Sequence, residues 1–315
     1  MYKIPILILV YNRPDTFKKL IYCLKKIQPK KIYIRGDGPV NADDVIKINA
    51  VKKTILRINW NCKILTNFNK INIGCRGSVS SGIDWFFSTE KMGVILEDDC
   101  LPNTSFFKFC EILLKRFRYN KKIYTISGSN FQNKITTDND YYFTKYPHCW
   151  GWATWARAWK SYDQNLSFWT KWKKTDKWKK YIKLTIEKKY WEKIFNNVLK
   201  KKIDSWAYVW TASVWYKNGV AIVPKTSLIN NIGFDDRATH TQNSQTKSIS
   251  NLKNLKFPLK HPKRIKIDIR ADNYTFFNHF KGVNYLWPWR FIHLVYLFFL
   301  NPRIFIVRFY KKLSR

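Results

Sequence analysis

Val94-Ile95-Leu96-Glu97-Asp98-Asp99 joins a short apolar run to three consecutive acids. Like charges side by side at the end of a buried strand repel one another, and they are costly there without a cation or a donor-rich ligand. A hard divalent metal carrying a diphosphate meets that need; a solvated acidic turn is the alternative. The rest of the chain sharpens the contrast, because its 315 residues carry 58 Lys and Arg against 21 Asp and Glu, a formal charge of +37.

Outward from the acids, the first hundred residues alternate two patterns. Residues 6–10 are a near-continuous apolar run, as expected for a strand covered on both faces. Pro14 fixes a first helical turn, and Phe17, Leu20, Ile21, Leu24 and Ile27 follow at helical spacing. Residues 31–35 read as a second strand ending at the turn Gly36-Asp37-Gly38-Pro39. Then come a helix over 43–56, a strand over 62–66, a helix over 78–87 and a strand over 93–96. Beyond the acids, Phe106, Phe109, Cys110, Leu113, Leu114 and Phe117 mark an amphipathic helix. Such alternation predicts a Rossmann-like α/β fold, a mostly parallel sheet flanked by helices, with ligands at the carboxyl ends of its strands. Tyr11-Asn12-Arg13, Asp37 and Glu97-Asp98-Asp99 all fall at such ends.

Apolar residues make up 45% of the chain and aromatics 17%, enough for a sizeable core and against wholesale disorder. The basic excess attracts anionic partners, although heavy general use of Lys and Asn also makes a merely solvated basic surface. Six cysteines at 23, 62, 75, 100, 110 and 149 form no C-x-x-C pair, so no zinc ribbon is supported. Cys23, Cys75, Cys100 and Cys110 read as buried thiols, and a reducing cytosol is the simpler setting. The opening apolar run is too short for a membrane span and lacks a signal peptide's cleavage pattern.

Tryptophans crowd the middle of the chain and read mostly as packing residues. Residues 170–202 read as Lys- and Trp-rich amphipathic helix, 219–224 as a strand, and 230–250 as a long polar loop. Past residue 290 two short apolar runs are flanked by Arg290, Arg303, Arg308, Lys311, Lys312 and Arg315, with no acid among them. That pattern fits a helix lying in the interface of an anionic membrane; a helix docked on the domain is the alternative.

Residues 4–24, IPILILVYNRPDTFKKLIYCL, resemble the opening of nucleotide-sugar transferases of the GT-A fold, closest to the N-acetylglucosaminyltransferase I family. Residues 93–109, GVILEDDCLPNTSFFKF, resemble that family's EDD segment with its proline and Phe-Phe helix. Residues 148–159, HCWGWATWARAW, resemble its Gly-Trp loop; 203–206, IDSW, its Asp-x-Trp catalytic segment; and 220–234 the strand and turn that follow. The order is colinear over roughly residues 4–245. Bacterial surface-polysaccharide glycosyltransferases look nearer still, through WGWATW and the NIGF…ATHT stretch.

The resemblance implies a GT-A domain over residues 1–250 and a basic, aromatic C-terminal helical extension over 251–315. It implies a metal-dependent, inverting glycosyltransferase using Mn2+ or Mg2+ and a nucleotide-sugar donor, UDP-linked by the role of Asp37. Asp99 would hold the metal that bridges the donor's phosphates, Asp98 would face the ribose, and Glu97 would support the pair. Arg13 would meet the diphosphate, where a guanidinium donates two parallel hydrogen bonds; a solvated helix cap is its alternative. Asp37 would accept from the base edge, its alternative being an ordinary Asp-Gly turn. Asp204 would take the acceptor hydroxyl's proton, its alternative being a helix N-cap. His240 would reach the diphosphate or the metal from a closing loop, Arg76 a phosphate near a helix start, and Trp150 and Trp152 would shape the sugar or acceptor pocket.

The implied acceptor is a glycan or a lipid-linked sugar in surface polysaccharide synthesis, reached from the cytoplasmic face of the inner membrane. The animal enzymes carry an N-terminal membrane anchor that this sequence does not show, so their acceptor is not carried over. Two other readings remain. A nucleotidyltransferase acting on sugar phosphates would carry a glycine-rich basic loop where Tyr11-Asn12-Arg13-Pro14 stands. A nucleic-acid binder would suit +37 and many aromatics, but its charge is dispersed and the acids at 97–99 would repel phosphates.

Overall fold

In a computed structural model that describes residues 1–233, 252–286, 288 and 291, the expected alternation opens the chain. β1 (Ile6–Val10), α1 (Pro14–Lys25), β2 (Lys31–Gly36), α2 (Ala42–Ile55), β3 (Lys63–Phe68), α3 (Gly74–Phe87) and β4 (Met92–Glu97) succeed one another. β5 (Cys100–Pro102), α4 (Thr104–Arg116), β6 (Ile123–Ser127), β7 (Tyr141–Thr144) and β8 (Trp152–Trp155) come next. A helical block holds α5 (Ala156–Trp159), α6 (Trp169–Trp172), α7 (Asp176–Tyr181), α8 (Thr185–Leu199) and α9 (Trp206–Tyr216). β9 (Val220–Pro224), β10 (Ile229–Asn231) and α10 (Ile269–Tyr274) follow.

The main sheet has eight strands in the order β3-β2-β1-β4-β8-β6-β9-β7. β3, β2, β1 and β4 are parallel neighbours, as are β6 and β9, while β8 and β7 run antiparallel to theirs. β5 and β10 form a small antiparallel pair beside it. This is a mixed α/β architecture with a large, mostly parallel sheet flanked by helices.

Alternation along the strands sorts the core into two layers. Ile6, Ile8 and Val10 pack with Phe17, Leu20 and Leu24 of α1 and with Phe106, Phe109 and Leu113 of α4. Leu7 and Leu9 face the opposite way, toward Ile83 and Phe86 of α3 and a tryptophan-rich layer from α5–α9. Trp152 lies against Trp206, ring centroids 5.6 Å apart, and Trp191 against Trp215 at 4.9 Å. Most tryptophans are thus packing residues, as expected.

Residues 170–202 are not one helix. Thr175 accepts from the Trp178 amide and starts α7, and Ile182 is extended before α8 begins, so three helices replace one. α3 begins at Gly74, four residues before the expected start, which puts Arg76 inside its first turn. All six cysteines are free; Cys100 and Cys110 are buried, whereas Cys23 and Cys75 are half-buried. Residues 252–286 lie against the sheet's far edge: the Lys260 amide donates to Asp140, and Ile267 bridges Phe143. Among the described residues no helix is long and apolar enough to cross a membrane. The extension beyond 291 lies outside them.

Close packing behind β4 gives a direct check. A Cβ on Gly93 would enter the Phe86 ring and sit 2.9 Å from the Pro5 carbonyl oxygen, whereas one on Gly77 in α3 would meet Ile73 at an ordinary 3.5 Å. Gly93→Ala is expected to lower the urea-unfolding free energy by ~1–3 kcal/mol. Gly77→Ala should be neutral or stabilising by up to ~1 kcal/mol through helix propensity. Equal effects in the two variants would contradict this packing.

Candidate active site

β1, β2 and β4 end side by side, Leu9 opposite Glu97 and Val10 opposite Gly36. The loop after β1 is pinned to the loop after β2 by one carboxylate. Asp44 of α2 accepts from the Tyr11 hydroxyl and the Asn12 amide, each at 2.7 Å, and from the Val40 amide at 3.0 Å. Those hydrogen bonds favour the ionised form, so its carboxyl titrates below the usual range.

Asp37 is buried just past β2. Its Oδ1 accepts from the Gly38 amide at 2.9 Å, the Asn69 side chain at 2.8 Å and the Ile73 amide at 3.1 Å. All three fall on one oxygen, which leaves Oδ2 as an acceptor for a further N–H. Beneath it, the Arg35 guanidinium binds the Asn67, Asn69 and Ser81 side chains and so orients Asn69. Burial lowers the Arg35 pKa.

The acidic triplet is not a solvated turn. Asp98 is buried, its own amide donates to Leu9, and its Oδ2 accepts from the Tyr11 amide at 3.4 Å. Asp99 pairs with Arg13 at 3.1 Å, the two side chains 13% and 11% exposed. Arg13 stands at the N-terminal boundary of α1 without capping it, so the solvated-cap alternative falls. Burial raises the Glu97, Asp98 and Asp99 carboxyls; the charges of Asp99 and Asp98 push Glu97 further up, and Arg13 opposes all three shifts. Gly233 lies directly on the Asp99 carboxylate.

The first turn of α3 presents amides that no residue of its own helix can satisfy. Ile73 N–H goes to Asp37, Gly74 N–H to Asn72 at 3.0 Å, and Arg76 N–H to Asp204 Oδ2 at 3.4 Å. Two carboxylates from distant parts of the chain thus flank one positive helix end. Asp204 does not cap α9, whose N-cap is Ser205. It turns outward, 54% exposed, with Arg76 Nε 3.8 Å from its Oδ1. Cys75 sits between these acids: burial first, then the charges of Glu97, Asp204 and Asp37, push its thiol up to about 12.

The structure therefore brings Arg13, Asp37, Arg76, Glu97, Asp98, Asp99 and Asp204 together past the carboxyl ends of β1, β2 and β4 and at the start of α3. Trp150 is half-buried, its ring 4.9 Å from Phe131, on which His279 stacks. Trp152 is a correction: it is 1% exposed, locked under Trp206 and Trp210, and reaches no pocket. His240 lies outside the described residues. Asp44, Arg35 and Asn69 were missed. An arginine closing the apolar strand Lys31–Gly36 was the available signal for Arg35; nothing local marked the other two.

No family model matches the chain, and no curated protein does. Solved structures overlap part of it. HddC from Yersinia pseudotuberculosis, complexed with GMP-PN, shares 14% identity over 46% of this chain, with a TM-score of 0.26. This chain spans 58% of HddC's length. UDP-glucose pyrophosphorylase without ligand shares 9% identity over 73% of this chain and 93% of its own, with a TM-score of 0.35. 4-Diphosphocytidyl-2C-methyl-D-erythritol synthase from Anaerococcus prevotii shares 9% over 62% of this chain and 84% of its own, TM-score 0.30. Overlap this partial assigns no activity.

The Asp44 network sets a pH dependence. Its folded pKa is depressed, so its stabilisation is present above the unfolded value near ~4 and is lost as pH falls through the folded value. Asp44→Asn should be less stable than the parent at pH 7 by ~1–3 kcal/mol, and the gap should close below about pH 4. Denaturant midpoints across pH 3–7 check this; a gap independent of pH would refute it.

Proposed function

We propose that this chain is a transferase that binds a nucleotide-diphosphate sugar across the strand-end cleft and moves the sugar to an acceptor hydroxyl. The observation that carries the reading is the buried Arg13–Asp99 pair at the end of β4, with Asp37 and Asp204 set on either side of the α3 N-terminus.

The residues divide the work. Asp37 offers its second oxygen to an N–H of the base, the uracil edge in the UDP-linked reading. Asp98 lies on the ribose side and Glu97 supports it. Arg13 and Arg76 meet the diphosphate beside the α3 amides, a setting that favours anions. Asp204, exposed and acceptor-rich, takes the proton from the acceptor hydroxyl as its oxygen attacks the anomeric carbon; the bond to the diphosphate breaks and the electron pair leaves on it. His240, outside the described residues, keeps in this reading the role at the diphosphate or the metal that the resemblance implies.

Among the described residues no group of three His, Cys, Asp or Glu is arranged around one ion. Asp99, 13% exposed, would serve in an arrangement where Mg2+ or Mn2+ takes one carboxylate and completes its oxygen shell from substrate phosphates and water. Bound there, the ion would neutralise charge on the departing diphosphate.

In this reading residues 1–250 form the GT-A catalytic part and 251–315 a basic extension for an anionic membrane surface. The acceptor is a glycan or lipid-linked sugar of surface polysaccharide synthesis. Nucleotidyl transfer to a sugar phosphate is the second reading, and the names of the overlapping solved structures stand on its side. Against it, Tyr11-Asn12-Arg13-Pro14 supplies no glycine-rich basic loop, and the exposed Asp204 has no evident task in it.

Phosphorus NMR of the products separates the two. With Mn2+ and a panel of nucleotide sugars, the protein should release a nucleoside diphosphate; pyrophosphate formed from a nucleoside triphosphate and a sugar 1-phosphate would favour the second reading. Asp99→Ala should abolish turnover. Asp204→Asn should bind donor normally and lower transfer by about 100-fold or more. Full activity in Asp99→Ala, or lost donor binding in Asp204→Asn, would overturn these assignments.

A further inference from the structure

Residues 171–202 hold thirteen lysines and three acids, a density well beyond the chain's general excess. Four of those lysines line one feature. A groove of about 430 Å³ runs along α8 and the turn after it, lined by Lys189, Lys193, Asn196, Asn197, Lys200 and Lys202. The spacing explains the lining: positions 189, 193, 196 and 200 fall on one face of a helix with 3.6 residues per turn. Lys201 then takes a left-handed φ of 56°, and the Lys202 amide bonds back to the Asn197 carbonyl at 2.8 Å. That reversal returns Lys202 to the groove and delivers the chain, two residues later, to Asp204.

Four lysines against one acid leave the groove net positive. Its one acid, Glu192, accepts from the Trp178 indole at 2.7 Å, and the Asn196 oxygen accepts from the Trp169 indole at 2.9 Å. None of the four lysines pairs with a carboxylate among the described residues. Lys200 at the end of α8 complements the helix dipole, but Lys189 and Lys193 stand well before the last turn and gain nothing from it.

We propose that this groove binds the phosphate groups of an anionic acceptor and holds the acceptor's sugar hydroxyl beside Asp204. The inference rests on the reading of Asp204 as the acceptor's base. Ammonium groups are point-charge phosphate binders on flexible stems, suited to a phosphate whose sugar must still settle against the base. Lys202 lines the groove two residues before Asp204, whereas Arg13 and Asp99 belong to the ends of β1 and β4 and line no part of it; in this proposal one diphosphate belongs to the donor and a second, separate phosphate group to the acceptor. The substrate class is thus a glycan carried on a phosphate or diphosphate, and a neutral glycan binds poorly.

Inorganic pyrophosphate, titrated calorimetrically into the full chain without divalent metal, is the probe. The triple variant Lys193→Gln, Lys200→Gln, Lys202→Gln should weaken binding about tenfold, with a shallower salt dependence. The corresponding triple Lys→Arg variant should keep it. A control, Lys25→Gln, Lys121→Gln, Lys122→Gln, removes the same charge from lysines that line no part of the groove and should change affinity less than twofold. Mn2+-dependent hydrolysis of the donor should stay unchanged in the groove triple, which separates this site from the donor site.

Several results would overturn the proposal: no pyrophosphate binding by the parent, equal weakening in the control triple, or loss of binding in Arg13→Ala alone. Phosphatidylcholine vesicles doped with farnesyl pyrophosphate should retain the protein better than vesicles with phosphatidylglycerol at equal surface charge. Equal retention would make the groove a general lipid-surface contact and refute it. A groove that binds pyrophosphate in a protein that consumes no nucleotide sugar would instead overturn the glycosyl-transfer reading and leave the anion site standing.

Discussion

Three carboxylates in succession, drawn out of water at the end of β4, are the constraint around which the cleft is arranged. Such a cluster opposes folding unless something compensates it. Arg13 compensates part, at 3.1 Å from Asp99, and the Tyr11 amide turns to Asp98. Both come from the loop after β1, which Asp44 clamps from α2. Removing the acids would ease the burial cost, so their presence speaks for binding rather than for stability. The raised Glu97 and Asp98 carboxyls describe a place where more positive charge is welcome.

The tryptophan layer serves that cleft by rigidity. Trp206 of α9 stacks on Trp152 of β8, Trp210 packs against the same ring at a tilt, and Trp159 donates to Asp84 of α3. α3 and α9 are thereby held in one register. The consequence falls on Asp204 and Arg76, one residue from each side of that junction, which meet only because the two helices do. Aromatic rings supply large contact area with few rotatable bonds, which suits a scaffold that must place two charged groups from positions 128 residues apart.

Much of this was legible in the sequence for physical reasons. Strands covered on both faces are continuous apolar runs, and ligand sites in parallel sheets follow strand ends, so residues 6–10, 93–96 and the acids stood out. Arg13 beside Pro14 was placed by the helix that proline starts. Contacts between distant segments left no local trace: Asp44 looks like any acid in a first helical turn, and Asn69 like any loop asparagine. The reading of 170–202 as one helix failed for a related reason. Helical periodicity persists across a break when each piece buries a tryptophan, and the Thr175 cap that ends the pattern is a single side chain. Trp152 failed because an exposed pocket wall and a buried core ring carry the same letter in the same motif.

In the proposed function the acidic triplet is completed by a cation and a nucleotide diphosphate together. Mutual dependence of the two ligands is its direct signature, since coupling between binding sites is reciprocal. Calorimetric titration of UDP into the full chain, with and without Mn2+, measures it, paired with Mn2+ titration by electron paramagnetic resonance with and without UDP. Each ligand is expected to raise the affinity for the other by the same factor, about tenfold or more, and Asp99→Ala should erase the coupling. UDP affinity that is indifferent to Mn2+ in the parent protein would contradict it.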